Sequence, residues 1–200
     1  AGQNVFTGPL TISGPLALSL TNTTGNTYSN FVNVNAGSLA ISAANNTFSK
    51  LVTVNTPNTL TMSGTGGTQT FSEGLTISRG VVSISGGTSV TTGGLTATGN
   101  SSLTLAGPNT ISGGLTLTNT GNVTLNGGTT VNGNTTLSNT GTLVIGGTNT
   151  FNGNLTLANP GVVSFAAPAV NGALTATATG ARFRGAGSCR CCCGATRPGV

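Results

Sequence analysis

Short segments in which apolar and polar residues alternate recur along this chain. In L-T-L at 115–117 and V-T-L at 123–125, two apolar residues flank one threonine. Because successive side chains of a strand point to opposite faces, this spacing predicts strands with one buried and one exposed face. Each segment is too short to form a stable sheet alone, so it must pair with equivalent segments elsewhere in the chain.

The segments belong to a repeat of about twenty residues. The strings TISGGLTLTNTGNVTL, from Thr110, and TVNGNTTLSNTGTLVI, from Thr130, follow one template. It contains an apolar residue, a glycine corner, an L-T-L-like segment, a polar turn and a V-T-L-like segment. The opening apolar residues are Phe6, Tyr28, Phe48, Phe71, Val90, Ile111, Val131, Phe151 and Val170.

Three short strands per repeat predict an all-β fold, a single-stranded parallel β-solenoid with about nine rungs of roughly 20 residues. Parallel crossover connections favour a right-handed coil, that is, a right-handed β-helix. We expect the opening residues and the apolar residues of the later strands to be buried in columns. The first four opening residues would then form an aromatic stack.

The corner after the opening residue has its own pattern. Glycine lies two residues after the opening residue in five repeats: Gly8, Gly113, Gly133, Gly153 and Gly172. Since glycine tolerates a positive φ, we predict that conformation at these corners. Lys50 and Glu73 take this place in the third and fourth repeats. Adjacent rungs are about 4.8 Å apart, which predicts an ion pair between them.

Charge is almost absent from the repeats, and this excludes one class of partner. Only 4% of the residues are charged, and four of the six basic residues lie in the last twenty positions: Arg182, Arg184, Arg190 and Arg197. Nucleic-acid binding would require a basic surface, so we predict that the chain has no nucleic-acid partner. No apolar stretch reaches the roughly 18–20 residues of a membrane-spanning helix. Without a visible signal peptide and starting at Ala1, the chain is interpreted as a mature product or a fragment of a longer protein.

The strings GGLTLTNTGNVTLNGGTTV and GTLVIGGTNTFNGNLTLANPG resemble the repeat arrays of secreted bacterial β-solenoid adhesins. They are most similar to autotransporter passenger regions, and the resemblance extends from Val5 to about Ala178. It implies a right-handed parallel β-helix at the cell surface or outside the cell, acting as a stalk or adhesive rod. Extracellular fibres and viral surface proteins also use such rods.

The sequence contains few of the residue types on which catalysis depends. The chain has no histidine and a single acidic residue, Glu73. Hydrolysis by paired carboxylates needs two acids, and activation of a serine needs a base that Lys50 alone does not provide. We therefore predict no enzymatic activity, no cofactor and no metal site in the repeats.

The last twenty residues depart from the template. We assign 1–180 to the β-solenoid domain and 181–200 to an irregular, basic, Cys-rich tail containing Cys189, Cys191, Cys192 and Cys193. The tail is interpreted as disordered or as a sequence out of frame with the repeats. Clustered thiolates could alternatively bind a soft metal, or form disulfides with a partner chain.

One regular surface follows from the template. The outward residue between the two apolar positions of the second segment is threonine in eight repeats: Thr11, Thr53, Thr76, Thr96, Thr116, Thr136, Thr156 and Thr175. Asn33 takes this place in the remaining repeat. One interpretation is a solvent-exposed strand face, since threonine favours strands. Another is a binding array for ice, because such T-x-T surfaces resemble antifreeze faces; a carbohydrate surface is a third.

The leading functional hypothesis is therefore a non-catalytic extracellular rod that spaces, shields or adheres, with ice binding as the alternative. The sequence shows no terminal cap, and open solenoid ends invite pairing with another chain. We expect end-to-end or lateral self-association, or continuation into a larger chain. A host surface, a carbohydrate or ice would be the external ligand.

Overall fold

A computed structural model describes residues 2–15, 17–21, 24–35, 37–63, 67–85, 89–126, 128–138, 141–158, 163–166, 168–176 and 181–184. All secondary-structure elements within these ranges are β-strands, and they are numbered β1 to β25 along the chain. Each coil contributes a first, a second and a third strand. Equivalent strands stack to form three faces, called here the first, second and third face.

The first face consists of β1 (Asn4–Phe6), β4 (Asn26–Tyr28), β7 (Asn46–Phe48), β9 (Thr68–Phe71), β11 (Ser89–Thr92), β14 (Asn109–Ile111), β17 (Thr129–Val131), β20 (Asn149–Phe151) and β23 (Pro168–Val170). The second face contains β2 (Leu10–Ile12), β5 (Val32–Val34), β12 (Leu95–Ala97), β15 (Leu115–Leu117), β18 (Thr135–Leu137), β21 (Leu155–Leu157) and β24 (Leu174–Ala176). The third face contains β3 (Ala17–Leu20), β6 (Ser38–Ile41), β13 (Ser102–Ala106), β16 (Val123–Asn126), β19 (Leu143–Ile145), β22 (Val163–Ala166) and β25 (Ala181–Arg184). Two long strands, β8 (Val52–Met62) and β10 (Leu75–Ile84), run through both the second and the third face.

All strand pairs join one coil to the next in parallel, as β14 with β17 and β15 with β18 do. The first face is a nine-stranded sheet, while β8 and β10 join the other two faces into one sheet of 16 strands. The predicted all-β parallel β-solenoid is confirmed, and the nine strands of the first face match the predicted number of rungs. The right-handed sense of the coil stays a prediction.

The core is a set of apolar columns along the coil axis. Both apolar positions of the second and third strands are buried in the central coils, for example Leu115 and Leu117, and Val123 and Leu125. The aromatic stack is also confirmed. Ring centroids are 4.9 Å apart for Phe6 and Tyr28, 4.5 Å for Tyr28 and Phe48, and 4.8 Å for Phe48 and Phe71, with planes within 5° of parallel. Because the coil repeat matches the ring spacing, each ring covers the next.

The register of the fifth coil differs from the prediction. Thr92, not Val90, pairs with Phe71 below and Ile111 above, and its side chain is buried. Its hydroxyl donates a hydrogen bond to the Gly94 carbonyl at 2.7 Å, which satisfies the polar atom that enters the apolar column. The assignment of Val90 as an opening residue was wrong, because Val90 pairs with Gln69 and Asn109 instead. Sequence spacing does not distinguish the two residues: Val90 lies 19 and 21 residues from Phe71 and Ile111, and Thr92 lies 21 and 19 residues from them.

The corner glycines are also explained differently. None of the five predicted corner glycines has a positive φ. A Cβ atom on Gly133 or Gly153 would instead overlap the backbone carbonyl of the coil below. Close stacking of the coils, rather than the dihedral angle, therefore requires glycine at Gly113, Gly133, Gly153 and Gly172, whereas a Cβ atom on Gly8 would have open space. Positive φ angles occur at other glycines, such as Gly80 and Gly99.

The described part of the solenoid continues past the predicted domain boundary. Strand β25 pairs in parallel with β22, so that Phe183 lies beside Phe165 in the register. Residues 181–184 thus belong to the coil rather than to an irregular tail. The four cysteines lie outside the described residues.

Candidate functional site

The predicted threonine array forms one column on the second face. Pairing runs from Thr11 through Asn33 to Thr53, and threonine then occupies every coil up to Thr175. Thr11 and Thr175 are exposed, whereas the threonines between them are partly covered by their neighbours along the stack. The predicted residues therefore share one outward row, with about 4.8 Å between successive coils.

The adjacent outward position of the second face has mixed chemistry. It carries Ser13, Asn35, Asn55, Ser78, Thr98, Thr118, Ser138 and Ala158, while Thr177 lies outside the described residues. Backbone hydrogen bonds of 2.9 Å, from Thr118 N to Ala97 O and from Ala158 N to Leu137 O, continue the ladder through this position. The backbone lattice is regular here, but only one column presents a uniform pattern of hydroxyl and methyl groups.

A second threonine column, which the sequence analysis missed, lies on the first face. Seven consecutive coils contribute Thr27, Thr47, Thr70, Thr91, Thr110, Thr130 and Thr150. Val5 and Ala169 pair with the two ends of this column. The signal was present in the sequence, since N-T followed by an aromatic or aliphatic residue recurs at 26–28, 46–48, 109–111 and 149–151.

Beneath the first face lies a buried amide ladder, defined by Asn26, Asn46 and Gln69. Asn26 Nδ2 donates to Asn46 Oδ1 at 2.7 Å, and Asn46 Nδ2 donates to Gln69 Oε1 at 2.6 Å. Asn46 Nδ2 also contacts the Ala43 carbonyl at 3.1 Å. Because a buried polar group is costly when unpaired, these amides fix the register of their coils. They hold the first face in alignment from within.

Further along the first face, other polar side chains continue this inward position. Asn109 Nδ2 donates to Thr129 Oγ1 at 3.4 Å, and the Thr129 backbone N–H donates to Asn149 Oδ1 at 3.0 Å. Asn149 Nδ2 in turn donates to the Gly147 carbonyl at 2.9 Å. In the strand register, Val90 lies between Gln69 and Asn109.

The corner between the first and second faces carries a second, exposed row of amides. We call Asn132, Asn152 and Asn171 the corner amide ladder. Asn152 Nδ2 donates to Asn132 Oδ1 at 2.8 Å, and Asn171 Nδ2 donates to Asn152 Oδ1 at 2.7 Å. All three residues are exposed. The stacked glycines that follow them allow the coils to approach closely enough for these bonds.

The predicted ion pair is confirmed at this same corner, lower in the stack. Lys50 Nζ lies 2.6 Å from Glu73 Oε1, and the two side chains are 47% and 45% exposed. An exposed pair of this kind contributes little to stability. Arg79 is exposed on the fourth coil, and no further charged residue precedes Arg182 in the sequence.

Tyr28 is the buried titratable group of the described core. Its ring is almost fully covered by Phe6 and Phe48, and its hydroxyl has no hydrogen-bond partner among the described residues. Burial raises the pKa of the Tyr28 phenol well above its ordinary value of 10.0. The residue is therefore a neutral core side chain at physiological pH.

The first coil exposes part of the apolar interior. A pocket there is lined by Leu10, Thr11, Ile12, Ser13, Ala17 and Leu18. Leu10 and Leu18 are half-buried, whereas their equivalents in the central coils are covered. Close by on the first strand, Val5 is 59% exposed.

The described ranges contain no cluster of three or more histidine, cysteine or acidic side chains placed to hold a metal ion. They also contain no helix with the length and apolar character of a membrane span. Apart from the Lys50–Glu73 pair and Arg79, the ordered surface columns of the described residues consist of uncharged hydroxyl, methyl and amide groups.

The fold defines a β-solenoid repeat protein. No family model, curated protein or solved structure matches the chain.

Proposed function

We propose that this chain is a structural or adhesive rod exposed outside the cell or at its surface, similar in role to an autotransporter passenger. The observation that supports the proposal is the continuous parallel stack, whose outward columns are neutral and in register over most coils. Such a stack provides length, stiffness and a repeated surface from short segments. It requires neither a catalytic centre nor a cofactor.

Bead adhesion tests the adhesive part of this proposal. The purified chain is coupled to beads, and bead retention is measured on host-cell monolayers and on immobilised neutral glycans. Thr116→Lys and Thr136→Lys place charges on the second face, whereas Thr104→Lys places one on the third face as a matched control. Retention that falls only for the second-face variants supports adhesion through that face. Retention equal to that of uncoated beads would contradict the adhesive role and leave a spacer.

Exposure outside the cell is tested separately. An antibody against the folded repeats is applied to intact producing cells and to the culture medium, with lysed cells as the reference. We expect labelling of intact cells or recovery of the chain from the medium. Detection only after lysis would contradict an extracellular rod.

Self-association belongs to the same proposal. The first coil exposes Leu10 and Leu18, and its strand edges are suited to pairing with a further coil. The further coil belongs either to a second copy joined end to end or to neighbouring sequence in a larger chain. Contacts of the end-to-end kind do not close on themselves and produce filaments. Lateral packing through the neutral faces is the other mode.

Sedimentation velocity over a range of concentrations distinguishes these modes. Leu18→Lys places a charge at the open coil and should abolish end-to-end association, whereas Thr116→Lys should abolish only lateral association. Thermal melting of each variant checks that it remains folded. A wild-type chain that stays monomeric at high micromolar concentration would contradict self-association of the isolated chain.

Ice binding is the second candidate, and the seven consecutive threonines from Thr53 to Thr175 favour it. A column with a repeat of about 4.8 Å offers a regular array of hydroxyl and methyl groups to ordered water. Thermal hysteresis and ice-recrystallisation assays test it directly. Thr116→Tyr and Thr136→Tyr should abolish activity, with Thr104→Tyr as the control. A wild-type chain without activity in either assay excludes ice as the ligand.

A further inference from the structure

Three asparagines stacked at one corner are each followed directly by glycine. The pairs are Asn132–Gly133, Asn152–Gly153 and Asn171–Gly172, in successive coils. An asparagine followed by glycine is chemically unstable, since the backbone nitrogen of a residue without a Cβ atom reaches the side-chain carbonyl most easily. In this solenoid the stacking of coils demands glycine at the position after the amide, so the fold itself creates the reactive pairs.

The reaction is balanced by water alone. The glycine nitrogen forms a bond to the asparagine Cγ, the bond from Cγ to Nδ2 breaks, and ammonia leaves with the proton of the glycine N–H. The resulting succinimide is opened by one water molecule to aspartate or isoaspartate. The net change is the replacement of an amide by a carboxylate and the loss of one ammonia molecule.

Hydrogen bonds within the corner amide ladder oppose this reaction. The Nδ2 groups of Asn152 and Asn171 are held along the stack by bonds of 2.8 and 2.7 Å, directed toward the coil below. The nitrogen of Gly133 is also engaged, since it donates to the Gly113 carbonyl at 2.9 Å. An asparagine must therefore leave the ladder, and the corner must open locally, before the ring can close.

A carboxylate within the ladder strengthens the bonds of its neighbours. An aspartate at 152 would still accept the bond from Asn171 Nδ2, and Asn132 can turn its amide to donate as well. Hydrogen bonds to a charged acceptor are roughly twice as strong as those between neutral groups. We propose that the corner amide ladder is a site of spontaneous, self-limiting conversion of asparagine to aspartate. A carboxylate at 152 holds both remaining amides in place, whereas one at either end of the ladder acts on its single neighbour, Asn152.

The carboxylate product adds a negative charge to a part of the chain that is otherwise uncharged. No charged residue occurs between Arg79 and Arg182 in the sequence, so one carboxylate is the sole charge of this part of the coil. Added negative charge opposes association between copies.

The test compares three versions of the folded chain during incubation in mildly alkaline buffer. Peptide mapping by mass spectrometry quantifies amide loss and isoaspartate at Asn132 and Asn171. Asn152→Ala removes both ladder bonds and should speed loss at both neighbours by about two- to tenfold, the range expected for one net hydrogen bond. Asn152→Asp should slow loss at both neighbours relative to the wild type.

Two controls make the result decisive. Asn122→Ala removes an exposed amide whose Oδ1 accepts a bond from the next coil at a different turn, and it should leave both rates unchanged. The urea-unfolded chain gives the rate of amide loss without the ladder, and this rate should exceed that of the folded chain. Equal folded and unfolded rates, or rates that change in the same direction for Asn152→Ala and Asn152→Asp, would overturn the proposal. So would an effect of Asn122→Ala as large as that of Asn152→Ala.

Discussion

Replacement of Asn46 by alanine tests whether the buried amide ladder stabilises the solenoid. Asn46 is 1% exposed, accepts a hydrogen bond from Asn26 Nδ2 and donates one to Gln69 Oε1. Asn46→Ala leaves Asn26 Nδ2 and Gln69 Oε1 buried without the hydrogen-bond partner that Asn46 provides. Each unsatisfied buried group costs about 1–3 kcal/mol, so the loss in free energy of unfolding should be about 2–6 kcal/mol.

The matched control is Asn152→Ala in the exposed ladder. It breaks two amide–amide bonds of similar length, but water can replace them, and surface substitutions usually change stability by about 0.5 kcal/mol or less. Urea denaturation followed by circular dichroism gives both values, with thermal melting as a second measure. If Asn46→Ala costs no more than Asn152→Ala, burial of the amides is not the source of their contribution.

Three further changes test other parts of the structure. Tyr28→Phe removes the unpaired hydroxyl and should raise the free energy of unfolding by about 1–3 kcal/mol. Because burial raises the pKa of Tyr28, the wild type should lose stability as the pH rises above 10.0, whereas the variant lacks this loss. Denaturation at neutral and alkaline pH measures both effects, and a less stable variant at neutral pH would contradict the reasoning. Gly133→Ala forces a Cβ against the coil below and should cost about 1–3 kcal/mol in urea denaturation. Gly8→Ala, with open space around its Cβ, should cost clearly less, and equal costs would refute stacking as the cause. A double-mutant cycle on Lys50 and Glu73 should give a coupling of about 0.2–1 kcal/mol that weakens with added salt. A larger, salt-independent coupling would indicate a pair shielded from water.

The aromatic stack and the ion pair could be predicted because both depend only on the length of the repeat. Once the coil closes after about twenty residues, positions one repeat apart lie about 4.8 Å apart. Phe48 and Phe71 then meet ring to ring, and Lys50 meets Glu73. The outward threonine row of the second face follows from the same argument.

The buried amides were missed because a polar residue beside an apolar one is normally assigned to the exposed face. Asn46 and Phe48 both point inward, two residues apart on one strand. The amide is tolerated there only because Asn26 and Gln69 complete its hydrogen bonds from the coils on either side. Those partners are about twenty residues away in the chain, and the pairing of coils alone brings them together.

The sequence by itself determined the architecture, since alternation with a period of two and a repeat of about twenty residues leave few folds other than a parallel coil. The tertiary structure decided the register of the fifth coil, where Thr92 rather than Val90 fills the core column. It also decided why glycine occupies the corners. Both depend on which backbone atoms of one coil contact the next, and such contacts between stacked coils are fixed only when every coil is in place.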